Sequence, residues 1–288
     1  MRYRFIRDHV EEYPVTRLCH ALGMSRSGYY VWCRHPESAR AQEDWRLLQQ
    51  ITTLHTASKK TYGSPRIYAS LRQLGETCGR HRITRLMRRH GIAAKHRRKF
   101  RATTDSRHDL PVAENVLDRQ FTPAALNLVW VSDITYVPTG EGWLYLATVM
   151  DLASRRIVGW AMSSRIDRRL VSEALTAALK RRRPAPGLIH HSDRGSQYAS
   201  RDYQLLLTHH GLIPSMSRKG NCWDNAPTER FFRSLKHEQL NYERFRTKEA
   251  AKLSIIDYLA FYNGKRTHSK LGYQTPLDFE RDFYRKAA

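Results

Sequence analysis

Between residues 126 and 165 the chain runs through three stretches rich in aromatic and β-branched residues, LVWVSDITYVPT, GWLYLATVMDLAS and RRIVGWAMSS, parted by short turns. Such residues suit a pleated, half-buried surface, and turns this short leave room only for antiparallel neighbours. A three-stranded meander is the expectation, and it limits what can follow. Asp167 stands in N-cap position before RRLVSEALTAALKRRR, which has helical spacing. GLIHHSD then reads as a short buried strand ending at Asp193, the stretch from about 200 to 210 as a helix, and LIPSMS as a fifth strand. A helix over about 225 to 239 carries Glu229. Strand, strand, strand, helix, strand, helix, strand, helix is an α/β order: a mixed five-stranded sheet with flanking helices.

The first 100 residues read differently, as short helices punctuated by Gly23, Gly28, Gly63 and Gly91, a small all-helical module. Within it VTRLCHALGMSRSGYYVWCRH has helix-turn-helix spacing, with the turn at Leu22 and Gly23. In KKTYGSPRIYASLRQLG, Ser64 is placed to cap, Pro65 suits a first turn, and Ile67, Leu71 and Leu74 recur on one face. HRITRLMRRHGI follows, where Ile83, Leu86 and Met87 form the apolar stripe while Arg82, Arg85, Arg88 and Arg89 crowd the other sides as candidate phosphate contacts. Residues 101 to 125 lack periodicity and read as a linker; 126 to 240 form the α/β core; 241 to 288 hold an amphipathic helix from Thr247 to Tyr262 and a basic tail.

Charge narrows the partner. The formal net charge is +23 over 288 residues, more than half of it before residue 120, which points to a polyanion, with nucleic acid foremost. Charge alone leaves a ribosomal, membrane-surface or merely solvated role open. No run approaches the roughly 18 apolar residues of a membrane span, so the expected location is the cytoplasm. Cys19, Cys33, Cys78 and Cys222 lack the paired spacing of a zinc site or disulfide framework, and the pairs His190–His191 and His209–His210 have no cysteines to complete a zinc module.

Three carboxylates carry the chemistry. Asp133 interrupts an apolar strand, where burying a carboxylate costs several kcal/mol unless it is paired or binds a cation. Asp193 lies just past a strand, where ligands of α/β sheets gather, beside His191, Ser192 and Arg194. Glu229 shares one side of its helix with Arg233 and Lys236, at i, i+4 and i+7. Taken singly, each has an ordinary reading as a turn, cap or surface ion-pair residue. Brought together they repel, and divalent Mg²⁺ or Mn²⁺ is the natural neutraliser of such an oxygen set. Two such ions can activate a water or sugar hydroxyl for in-line phosphoryl displacement.

WVSDITY around Asp133, HHSDRGSQYAS around Asp193 and KGNCWDNAPTERFFRSLKHE around Glu229 resemble the catalytic core of bacterial transposases of the insertion sequence three family, relatives of retroviral integrases. Thirty-five residues lie between Asp193 and Glu229, the spacing of that family's Asp, Asp, 35, Glu signature, and Lys236 stands seven residues beyond. YGSPRI at 62 to 67 and FYNGKRTHSKLGYQTPLDF at 261 to 279 extend the likeness over nearly the whole chain.

The resemblance implies a ribonuclease-H-like core, a divalent cofactor, Mg²⁺ or Mn²⁺ as two ions, and cleavage and strand transfer of DNA at element ends. Asp133, Asp193 and Glu229 are the implied catalytic and metal-binding residues, and Lys236 an implied DNA contact. Arg66, Lys59, Lys60, Arg194, Lys219, Trp223 and Arg233 are further candidates for DNA contact from charge and location, Trp223 having core packing as its alternative. The implied partners are terminal inverted repeats, target DNA, further copies of this chain on DNA, and an upstream reading-frame product bearing a helix-turn-helix and leucine zipper, since no heptad repeat occurs here. Arg230, after Glu229, departs from the small polar residue more usual there. The competing readings are a DNA-binding regulator or accessory factor that has lost catalysis, and a plain nuclease on the same core.

Overall fold

The computed structural model describes residues 2–34, 38–95, 111–219 and 221–287. Six helices come first: α1 (Arg2–Asp8), α2 (Val15–Ala21), α3 (Arg26–Arg34), α4 (Ala39–Ala57), α5 (Ser64–Gln73) and α6 (Arg80–Arg89). They bury two separate apolar clusters. Ile6, Cys19 and Tyr29 join α1 to α3, and Leu47, Ile51, Tyr62, Ile67, Leu71, Ile83, Leu86 and Met87 join α4 to α6. The α2–α3 corner turns at Gly23, whose φ of +61° suits a residue without a Cβ.

Three local expectations need correction. The cap of α5 is Gly63, with Ser64 already helical, because Pro65 belongs in the first turn and pulls the start forward. Leu74 is the C-cap of α5 and 64% exposed, since the helix ends before it can turn inward. Arg82 and Arg85 are held by Asp44 of α4, at 2.6 and 2.9 Å, and serve the packing of α6 on α4.

The sheet contains β1 (Val129–Thr139), β2 (Gly142–Asp151), β3 (Ile157–Ser163), β4 (Ile189–Ser192) and β5 (Ile213–Met216), in the order β3-β2-β1-β4-β5. The first three are the antiparallel meander, while β4 and β5 join in parallel beside β1. Period-2 alternation divides the strands between two cores. Trp130, Ala147, Val149 and Ala161 face α7 (Arg168–Arg182), α8 (Ser196–Ala199) and α9 (Arg201–His209). Val129, Val131, Leu144, Leu146 and Met150 face α10 (Ala226–Glu238) and α11 (Lys248–Gly264). Asp167 caps α7 by accepting from the Leu170 amide.

Two segments expected to be loose are built in. Of the linker, residues 101–110 lie outside the described residues, but 111–125 lie against the core. Leu117 is buried, its amide bonds the Ser215 hydroxyl, and Asn115 and Arg119 both reach Asp224. Where a basic tail was expected, α12 (Pro276–Ala287) is an amphipathic helix whose buried Glu280 pairs with Arg156 and Arg182 and accepts from Ser154. A buried carboxylate needs such partners, and they tie the C-terminal helix to β3 and α7.

Candidate active site

On β1, Asp133 lies on the same face as Val129, Val131 and Val137, the face covered by α10. β4 pairs with β1 only at Val129 to Val131, so from Ser132 onward that edge of β1 is open beside the end of β4. Asp193 follows the last residue of β4, so it stands at the carboxyl end of that strand, beside the middle of β1 where Asp133 lies just past the last β1–β4 pair. Its Oδ1 accepts from the Gly195 amide at 2.9 Å, and a Cβ at Gly195 would stand 3.1 Å from that oxygen. Glycine is what lets the loop close on the carboxylate.

The third acid is brought in by a short helical turn, Cys222–Asn225, that leads directly into α10. Asp224 is buried and takes Nε and Nη2 of Arg218 at 2.9 Å each, Nε of Arg119 at 2.8 Å and Nδ2 of Asn115 at 3.1 Å. The Arg218 guanidinium above all holds its carboxyl far below the usual range. Asn225 donates to the backbone carbonyl of Ser132 at 3.1 Å, fastening the start of α10 to the open edge of β1. Four residues later comes Glu229, in the first turn of α10.

The charges of Asp193 and Glu229 both bear on Asp133, whereas Arg233 is the charge that bears on Glu229. Asp133 keeps some open surface, yet protein surrounds it densely, and this desolvation pushes its carboxyl well above the usual value. The Asp193 charge adds to that rise and the Glu229 charge adds less, while the Ile134 amide and the Thr228 hydroxyl oppose it. Glu229 is also raised by burial, with Arg233 opposing. Burial brings the Lys236 ammonium down to about 8 against the pull of Asp133; its Nζ stands 4.9 Å from the centre of the Tyr136 ring. Among the described residues no group of three or more His, Cys, Asp or Glu side chains is arranged so that it could hold a metal ion.

Beneath the acids the histidine pair is buried and neutral. His190 Nε2 lies 2.8 Å from the Ser132 hydroxyl and 3.2 Å from that of Tyr203, and burial lowers it to about 3. His191 lies between Ser215 and Ser217 and is lowered to about 4 by the same cause. Tyr198, on α8, is buried beside Asp193 and Asp133, and its hydroxyl has no hydrogen-bond partner among the described residues.

The remaining candidates fall into separate places. Arg66 and Arg233 line a cleft beside α10. Arg194 donates Nε to the Ser217 carbonyl at 2.6 Å, beside Asp193. Lys219 is exposed in the loop before Asp224, and Trp223, 69% exposed, is no core residue. Lys59 and Lys60 have φ of +56° and +61° at the end of α4, and Lys59 pairs with Asp257 at 2.5 Å, over the Phe261 ring. Asp224, Asn225, Thr228 and Tyr198 were not singled out from sequence. The Trp-Asp-Asn run before Pro227 was the available signal, since polar residues ahead of a proline-started helix usually cap it.

Residues 123–222 and 210–276 each match a family described as Integrase core domain, and residues 42–100 match one described as HTH-like domain. The transposase InsF for insertion sequence IS3A of Escherichia coli (strain K12) is 41% identical over 283 residues, 97% of this chain and 98% of that one. The chain belongs to the IS3 transposase family. The insertion element IS600 uncharacterized 31 kDa protein of Shigella sonnei is 47% identical over 272 residues, spanning 94% of this chain and all of that one. Among solved structures, the simian T-cell lymphotropic virus intasome in complex with PP2A regulatory subunit B56 gamma matches with a TM-score of 0.48 and 18% identity over 73% of each chain. In this member of the IS3 family the two integrase-core matches together take in the mixed sheet with α7 to α11, and the HTH-like match falls on α4 to α6 and the segment after them. No helix among the described residues is long and apolar enough to cross a membrane.

Proposed function

We propose that the protein cleaves DNA at the terminal inverted repeats of its element and joins the freed ends to target DNA, with Asp133, Asp193 and Glu229 as the metal-binding catalytic set. The observation that carries this reading is the crowded Asp133 carboxyl, raised by burial and by the charges of Asp193 and Glu229. Carboxylate oxygens suit Mg²⁺ or Mn²⁺ by their chemistry, and in this reading the three acids would close on such a cation as it binds. When bound, a pair of these ions would supply Lewis-acid polarisation of the phosphate and a lowered pKa for the attacking water or hydroxyl.

The chain's own part is positioning. The middle of β1 and the end of β4 carry Asp133 and Asp193, and the Asn225 bond to Ser132 fastens the start of α10, whose first turn carries Glu229, to β1. In the first step a water oxygen bonds to phosphorus, the bond from phosphorus to the 3′ oxygen breaks, and a 3′ hydroxyl is released. In the second, that hydroxyl bonds to a target phosphorus and displaces the target strand's own 3′ oxygen. Lys236, beside Tyr136 and drawn by Asp133, is placed to contact phosphate at the reacting strand, with Arg194, Lys219 and Trp223 along the neighbouring loops. Several copies on DNA and an upstream helix-turn-helix and zipper product complete the assembly in this reading.

The test uses labelled element-end DNA with Mg²⁺ or Mn²⁺ and compares wild type with Glu229→Gln. Metal-dependent cleavage and joining, lost by at least 100-fold in the variant, is the expected outcome on the scale of a lost catalytic group. Tight binding of the ends with cleavage by neither protein overturns the catalytic reading in favour of an accessory role.

A further inference from the structure

Consecutive residues of an α-helix point about 100° apart. Glu229 therefore faces the acids while Arg230 looks into a different space, a cleft of about 590 Å³ between the helical module, the core and the C-terminal segment. Ligand sites commonly span roughly 300 to 1,000 Å³. Cations enter the cleft from several elements: Arg66 from α5, Lys95 from the segment after α6, Arg155 from the β2–β3 turn, Arg230 and Arg233 from α10, and Lys270 from the turn Ser269–Leu271. Glu238 is the one carboxylate among the lining residues, and Arg266, with Tyr258, already takes both its oxygens.

None of Arg66, Arg155, Arg230, Arg233 and Lys270 makes an ion pair among the described residues. Arg66 lies over the Tyr62 ring, and Arg155 gives one hydrogen bond, to the Phe121 carbonyl at 2.8 Å. Arg155 lines the cleft and sits at φ +61°, a left-handed backbone that a residue with a Cβ adopts at some cost. Arg66 and Arg155 are both lowered by burial, and Arg155 additionally by the charge of Arg230. Arg66 and Arg155 are partly buried while Arg230, Arg233 and Lys270 are exposed at the cleft, and like charges gathered this way favour an anion that joins them.

We propose that this cleft grips a stretch of DNA backbone apart from the phosphate being cut, with Arg66, Arg155 and Arg230 contacting its phosphodiesters. The choice of DNA as the anion rests on the transposase reading above. Because Glu229 and Arg230 are neighbours, the gripped strand and the acids share one helix as a common wall.

The test is binding of a fluorescent element-end duplex without metal, across a salt series, by wild type, Arg66→Gln, Arg155→Gln, Arg230→Gln and, as surface control, Arg169→Gln. Each lost phosphate contact lowers the slope of log K against log salt by about 0.9. Arg230→Gln and Arg66→Gln, folded as judged by melting, are expected to show that decrease and about fivefold weaker binding, with Arg169→Gln unchanged. Replacing single phosphates with neutral methylphosphonates then finds the position at which wild type and Arg230→Gln bind alike. Unchanged slope and affinity in folded Arg230→Gln, or a match only at the scissile phosphate, overturns the proposal. Glu229→Gln should keep the wild-type slope, so failure of joining and failure of the cleft read out separately.

Discussion

At the scale of single residues, the acids are held at a cost to the fold. Asp133 has its carboxyl raised, so at neutral pH the folded chain works against its ionised form. Neutralising it by Asp133→Asn keeps an oxygen for the Ile134 amide and removes that opposition. We expect the metal-free variant to melt higher than wild type, while joining is abolished. Added Mg²⁺ should raise the melting temperature of wild type and leave that of Asp133→Asn nearly unmoved. A variant that melts lower than wild type in EDTA contradicts this account. Asp224 is the opposite case, a buried carboxylate so fully bonded that it organises the approach to α10. Asp133 was legible from sequence because a charge inside an apolar strand is anomalous. Asp224 was not, because its arginines come from residues 119 and 218, one of them 105 positions away.

At the scale of elements, the position of α7 on the sheet depends on Gly159. Gly159 alternates in step with Ala161 on the face toward α7, and just beyond it the register of β2 against β3 slips between Val149 and Met150, a bulge at Val158. A Cβ there would stand 2.3 Å from the Ala174 carbonyl oxygen and 2.7 Å from the Ala178 backbone nitrogen. Backbone atoms cannot step aside as a flexible side chain can, so Gly159→Ala should cost about 3 kcal/mol, at the upper end of overpacking. Urea unfolding measures it, and a loss under 1 kcal/mol would show that α7 has room to shift. Strands and helices were readable along residues 126 to 240 because each bears its own periodicity. The slip at Val149 leaves no such trace, because a bulge comes from how two strands meet.

At the scale of the whole molecule, the ends of the chain are joined through particular bonds. The Tyr62 hydroxyl accepts from the Thr267 amide at 2.6 Å, the Lys95 ammonium donates to the Glu238 carbonyl at 3.2 Å, and Glu280 draws α12 onto β3 and α7. Global stability should also carry the mark of the buried histidines. His190 and His191 are neutral in the fold, with values lowered to about 3 and about 4 from 6.5. The unfolded chain binds protons there below pH 6.5 and the folded chain does not, so stability falls as pH drops from 6.5 toward 4. Each histidine contributes about 1.4 kcal/mol per pH unit once well below 6.5. Denaturant midpoints at pH 7.5 and 5.5 should show the loss, and His190→Gln should flatten it; an equal fall in both proteins would assign the acid sensitivity elsewhere.

The order of strands and helices, the three acids with their 35-residue gap, and the basic character of the partner surface were all determined within the sequence. Each rests on a local cause: side-chain period, turn chemistry, or a charge out of place. What only the tertiary structure decided are relations between distant segments. Arg82 and Arg85 turn to Asp44, residues 111–125 pack on the core, the expected tail is a docked helix, and Arg230 meets Arg66 and Arg155 in one cleft. Packing sets those meetings through shape and buried charge across the whole chain, and no window of neighbouring residues contains both partners.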